Sequence, residues 1–185
     1  MNTSSRDGLT LPTIHSGHRQ RRSPMGKLRI TSTVIAALAG GVAARRVYER
    51  LARFEISEVS MTPTLRPGDR VLTWERTPKR GDIVVFEHPA RPEFWLVKRV
   101  IGLPGEQVTI RDGRVLVDGS ILEEPWTDES SGPDTEWSLD AHEAVVLGDA
   151  RRLSAGDSRQ LGPLPVDALL HTVIARYWPN PARIA

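Results

Sequence analysis

The chain has no cysteine among its 185 residues. That excludes disulfides, thiol catalysis and thiolate metal sites. It leaves the compartment open, because a cysteine-free chain folds equally well on either side of a membrane. Charge of one sign is also lacking. Twenty-five Lys and Arg stand against twenty-three Asp and Glu, a net charge of +2, so no global field demands nucleic acid as a partner. There is no P-loop. The histidines (His15, His18, His88, His142 and His171) show no ligand spacing, so no metal, nucleotide or other cofactor is called for. An uncharged apolar run, Ile30 to Ala44, is short: about 15 residues, or roughly 22 Å as a helix, against a hydrocarbon core of roughly 30 Å.

What is present divides into three parts. Residues 1–27 are polar, rich in Ser, Gly, Pro and Arg and without apolar period, and read as a disordered basic tail. Residues 28–48 extend the apolar run to about 21 residues if Arg29, Arg45 and Arg46 snorkel to the interfaces. A membrane anchor is the leading reading of this segment; a cleaved export signal and an interfacial amphipathic helix are the alternatives. Arginines on both flanks make the positive-inside rule a poor guide to orientation. Residues 54–185 change texture to short β-rich runs separated by Pro and Gly, which argues for a mainly β domain of about 130 residues. Expected strands are Arg70–Glu75, Asp82–Glu87, Phe94–Ile101, Gln107–Arg111, Arg114–Asp118, Ala144–Leu147 and Leu169–Tyr177. Asp112-Gly113 between two alternating runs predicts a two-residue hairpin. The acidic stretch 123–140 reads as an insertion loop rather than core.

Two residues stand out chemically. Ser60 lies in VSMTPTLRPGDRV, where Pro63 and Pro67-Gly68 make a rigid connection into a strand and present the hydroxyl from a fixed backbone. A serine nucleophile needs a base, and no histidine sits in a telling motif. Lys98 is the alternative. Strand alternation places it on one face with Phe94, Leu96 and Val100. Burial there disfavours the charged form, lowers the pKa and makes the neutral amine a competent base. The competing reading is an edge strand from which Lys98 snorkels into water. Arg99 points to the other face and cannot be the base, since guanidinium stays protonated.

Four blocks in order then carry a resemblance: SMTPTL with GDRV (60–71), RGDIVVF (80–86), VKRVIGLPGE (97–106) and LGDARRLSAGDSRQLGPLP (147–165). Together they resemble the type I signal peptidases, over nearly all of the region from Phe54 onward. The resemblance implies a coiled antiparallel β-sheet domain behind a membrane helix, with the catalytic domain on the non-cytoplasmic side. It implies secretory preproteins and membrane lipid as partners, with cleavage after small residues. By the same resemblance Ser60 is the nucleophile and Lys98 the general base. Ser154 hydrogen-bonds the lysine amine, Asp157 and Arg159 form a supporting ion pair, and Asp149 supports the same loop. Met61 and Pro63 shape the substrate shelf.

Two departures from the family pattern carry expectations of their own. Position 58, where the family often has Ser, Thr or Gly, is Glu58. A carboxylate would repel a developing oxyanion, so Glu58 is expected to point away, leaving the Ser60 backbone N–H as donor. SAGDSR carries one residue more between Ser154 and Asp157 than the commonest spacing. Self-cleaving repressors share the serine–lysine pair and cut an Ala-Gly bond. Here Ala39-Gly40 lies inside the apolar run, and the residues before it cannot build a helix-turn-helix domain. A membrane-anchored binding module without activity is the non-enzyme alternative; both Ser60 and Lys98 speak against it.

Overall fold

The computed structural model describes residues 50–184. The expected tail (1–27) and anchor (28–48) lie outside the described residues. Among the described residues no helix is long and apolar enough to cross a membrane.

The chain forms two antiparallel sheets. The larger combines β1 (Leu51–Glu55), β2 (Arg70–Glu75), β3 (Ile83–Glu87), β4 (Trp95–Gly102), β9 (Glu143–Leu147), β10 (Leu164–Pro165) and β11 (His171–Trp178). Their order is β1-β2-β11-β3-β4-β9-β10, and β12 (Ala182–Arg183) pairs with β11. The smaller runs β7-β6-β5-β8, from β7 (Ser120–Ile121), β6 (Arg114–Val117), β5 (Gln107–Arg111) and β8 (Thr135–Ser138). A single helical turn, α1 (Ser158–Leu161), precedes β10. The first strand begins at Leu51, ahead of the boundary expected at 54.

Alternation explains which residues build each core. In β3, Val84 and Phe86 join Leu96 and Val100 of β4 and Ala144 and Val146 of β9 on one face. Ile83 and Val85 turn to the opposite face, with Ile56, Met61, Leu65, Val71 and Val173. Val145 and Leu147 of β9 pack with Ile101, Val108, Ile110 and Val115 under the smaller sheet. Both faces of β3 and β9 are therefore covered, which is why IVVF and AVVL read as continuous apolar runs. At about 1.5–3 kcal/mol for each fully buried aliphatic side chain, these clusters supply the drive that tolerates a few buried charges.

β4 is an interior strand, bonded to β3 and β9, with Val84 opposite Lys98 and Leu147 opposite Arg99. The edge-strand reading of Lys98 is thereby removed. The hairpin at Asp112-Gly113 forms as expected, with φ of 50° and 74° at the two positions joining β5 to β6.

Two expectations need correction. Phe94 stands just outside β4 and is 39% exposed, so only Leu96 and Val100 flank Lys98 on its buried face. The stretch 123–140 is not simply an insertion: Thr135–Ser138 pairs with β5, and Leu139 is buried in the third cluster. Within TEWSL the half-buried Thr135 and Trp137 alternate with the exposed Glu136 and Ser138. The surrounding Asp, Glu, Ser and Pro mask this short period-two pattern.

Candidate active site

Ser60 opens the turn that follows β1. Its neighbours Met61 and Leu65 are fully buried, and Leu65 N–H donates to the Met61 carbonyl at 2.8 Å, so the core grips the turn from beneath. The Ser60 carbonyl accepts from Ala150 N–H at 3.0 Å, which pins it to the segment after β9. Lys98 projects from β4 into the same place. Its Nζ lies 2.9 Å from Ser60 Oγ and 3.0 Å from the Val97 carbonyl. Both residues are 1% exposed.

Burial lowers the Lys98 pKa from 10.5 to about 8. Asp157, Glu58 and, more weakly, Asp149 pull it back upward; Arg159 pushes it down. The net shift decides the chemistry. At pH 7 about a tenth of such an amine is neutral, against well under a thousandth for an ordinary lysine.

Behind the pair, Asp157 is fully buried. Burial by itself raises its carboxyl, but hydrogen bonds from Arg159, Ser154 and Gly148 N–H, with the Arg159 charge, outweigh that and hold it below the ordinary range. Arg159 donates to it through Nε at 3.0 Å and Nη2 at 2.7 Å, so the expected ion pair is formed. The Ser154 expectation is corrected: its hydroxyl donates to Asp157 Oδ2 at 2.7 Å, and the hydrogen bonds of Lys98 go to Ser60 and Val97. The ionised carboxylate is a strong acceptor for the Ser154 proton. Gly148 fits between them. A Cβ there would stand 2.3 Å from Ser154 Oγ and 2.7 Å from the Ser60 carbonyl oxygen, so only glycine lets the two segments approach this closely.

Asp149 serves the opposite face of β4. It accepts from Arg99 Nε at 2.8 Å and Nη2 at 2.6 Å, and from Thr64 Oγ1 at 2.6 Å. The Arg99 guanidinium also donates to the Gly81 carbonyl at 2.7 Å and stacks 4.5 Å from the Trp126 ring. This network ties the turn that carries Ser60, through Thr64, to the strand that carries Lys98. Arg151, also buried, bonds the Gly148 carbonyl at 2.7 Å and pairs with Glu124 and Ser131. Sequence reasoning missed Arg99, Thr64, Arg151, Glu124 and Ser131 as partners. An arginine inside an apolar strand was the available signal, since it demands a buried acceptor.

Met61 and Pro63 are not at the cleft. Met61 is 0% exposed and belongs to the second core cluster, while Pro63 is exposed and lines a separate hollow with Pro125 and Trp126. In a turn, one side chain must anchor the backbone; the apolar Met61 does so, and Pro63 faces the other side. The cleft beside Ser60 and Lys98 has a cavity volume of about 50 Å³ and is bordered by Phe54, Ile56, Glu58, Val85, Trp95 and Leu96. Glu58 therefore borders the cleft rather than turning away.

The chain matches a known family and several of its members. The family model "Signal peptidase, peptidase S26" matches residues 28–178. A signal peptidase I of Leptolyngbya laminosa is 38% identical over 150 residues, covering 72% of this chain and 71% of its own. The Synechocystis protein named "Probable signal peptidase I-2" is 33% identical over 175 residues, covering 85% and 73%. A crystal structure of a signal peptidase I from Enterococcus faecalis is 28% identical, covers 53% of this chain and 97% of that one, and superposes with a TM-score of 0.47. The chain belongs to the signal peptidase family, peptidase S26.

Proposed function

We propose that Ser60 is the nucleophile and Lys98 the general base through which this chain, as a signal peptidase I, removes signal peptides from preproteins. The separation of 2.9 Å between Ser60 Oγ and Lys98 Nζ, inside a water-poor cleft, carries this assignment. Neutral Lys98 takes the hydroxyl proton as Oγ attacks the scissile carbonyl. The tetrahedral oxyanion is met by the Ser60 backbone N–H, a donor fixed by the turn. Collapse breaks the C–N bond, and the ammonium of Lys98 returns its proton to the leaving amine. Lys98 then deprotonates a water that attacks the acyl ester, releasing the preprotein's N-terminal portion and regenerating Ser60.

The supporting residues act by position. Asp157, fixed by Arg159 and Ser154, holds the segment after β9 against the Ser60 carbonyl, and Asp149 with Arg99 locks the nucleophile turn to β4. A cleft bordered by Ile56, Val85 and Leu96 suits small side chains before the cut. Residues 28–48 serve as a single membrane anchor that keeps the catalytic domain, 54–185, on the non-cytoplasmic side, where preproteins emerge. The test is direct: incubate detergent-purified protein with a preprotein, wild type beside Ser60→Ala, and map the cut. Cleavage after a small residue by wild type alone supports the reading; equal cleavage by Ser60→Ala defeats it.

A further inference from the structure

Glu58 is two residues before the nucleophile and borders two hollows at once. One is the cleft with Ser60 and Lys98; the other, about 260 Å³, is bordered by His88, Arg91, Phe94, Gly156 and Gln160. Leu96 also borders both, so the two hollows adjoin at Glu58 and Leu96.

The other carboxylate that borders these hollows, Glu55, and the two behind the site, Asp157 and Asp149, have partners. Glu55 pairs with Arg70, Asp157 with Arg159, and Asp149 with Arg99. Glu87 accepts from the Glu93 N–H. Glu58 is exposed and has no ion pair or hydrogen bond among the described residues. Across the second hollow stand Arg91, which has no ion pair among the described residues, and His88. Arg91 lies 5.9 Å over the Phe94 ring, and His88 Nδ1 accepts from Ala90 N–H at 3.0 Å. A peptide passing Ser60 thus meets in the first cleft the unpaired carboxylate of Glu58, while the unpaired cation, Arg91, borders only the second hollow.

We propose that Glu58 is a specificity-determining residue whose carboxylate receives a lysine or arginine side chain of the substrate within three residues of the cleaved bond. This rests on the Ser60–Lys98 reading of the site. A second consequence distinguishes it from a merely structural role. Glu58 is among the charges that hold the proton on Lys98, with Asp157 and Asp149; Arg159 opposes them. A substrate cation beside Glu58 cancels its field and releases Lys98 toward the neutral, reactive form. The basic substrate is then favoured in binding and in the pH dependence of its cleavage.

The experiment uses the full chain in detergent and a peptide series with small residues before the cut. Each position within three residues of the bond is occupied in turn by Lys, Gln or Glu. At one or more positions wild type should prefer Lys roughly threefold over Gln and roughly tenfold over Glu in kcat/KM, and added salt should shrink the preference. The rise of rate with pH should come earlier for the Lys peptide than for the Gln peptide. In Glu58→Gln the charge preference should vanish and the two pH curves coincide; in Glu58→Lys the preference should invert. Wild type blind to charge, a preference for Glu, or a Lys preference that survives Glu58→Gln each overturns the proposal. The wild-type series decides the matter even where a variant fails to fold. Ser60→Ala on the Gln peptide separates the two readings. If it abolishes cleavage while charge has no effect, only the Glu58 assignment falls; if cleavage persists, the Ser60 reading falls and this one with it.

Discussion

Lys98 and Arg99 are neighbours in one strand, both almost fully buried, and the protein treats their charges in opposite ways. Arg99 receives a bidentate carboxylate from Asp149, a backbone carbonyl and an aromatic face. Lys98 receives a hydroxyl and a single carbonyl, with no carboxylate in hydrogen-bond contact. The first arrangement keeps a cation charged and immobile; the second drives a cation toward neutrality. Strand alternation makes this possible. A step of one residue changes the face, and with it the partner set. The residue types fit their roles, because a guanidinium keeps its proton and an amine can lose it.

Removing the reacting groups has the largest expected effect. Ser60→Ala and Lys98→Met should each lower preprotein cleavage by at least about a thousandfold with the fold retained by circular dichroism. The double variant should be no worse than either single one, since the two act as a unit. Additive losses would break the dyad.

The Arg99 side of the comparison is broken by Asp149→Ala. It leaves a buried guanidinium without its carboxylate and should cost about 3–5 kcal/mol of stability. Chemical denaturation measures it, and a loss below about 1 kcal/mol would show that the clamp is dispensable.

Lys98→Met should have the opposite sign. The folded pKa of about 8 lies below the unfolded value of 10.5. Below pH 8 the folded state therefore bears the full cost of a buried ammonium, and that cost fades as pH rises from about 8 to 10.5. The substitution should stabilise the fold by about 1–3 kcal/mol at pH 7 and by little near pH 10.5. Thermal melts at the two pH values check this.

A smaller effect sharpens the contrast. Asp157→Asn removes the largest of the charges that hold the proton on Lys98 and leaves Arg159, which opposes it, unpaired. The rise of cleavage rate with pH should move to lower pH by about one unit or less. A move to higher pH would contradict the assigned signs.

Much of this contrast was legible in the sequence. A lysine at period-two spacing from Leu96 and Val100 announces a buried amine, and the strand runs from Arg70 to Glu87 and from Gln107 to Val117 announce the sheets. Arg99 was legible only as a non-base. Its partner Asp149 lies in another block, and no local pattern pairs residues that distant. The same limit applies to Arg151 with Glu124. Ser154 shows a different failure. The motif placed it at the site, but which groups meet there depends on packing within ångströms: its proton goes to Asp157, and the Lys98 amine meets Ser60 and the Val97 carbonyl. Met61 and Pro63 failed because neighbours of a nucleophile in sequence need not face the substrate; the turn spends Met61 on the core.

The measurement that tests the central claim most directly is the titration of Lys98 itself. The lysines of the chain are Lys27, Lys79 and Lys98, so side-chain NMR of 13C-labelled lysine in the detergent-solubilised protein gives a spectrum simple enough to assign with Lys98→Met. An amine titrating near pH 8 and absent from that variant is the predicted result. All lysines titrating near 10.5 would contradict the account, because Lys98 would then remain an ammonium at neutral pH and could not accept the proton of Ser60.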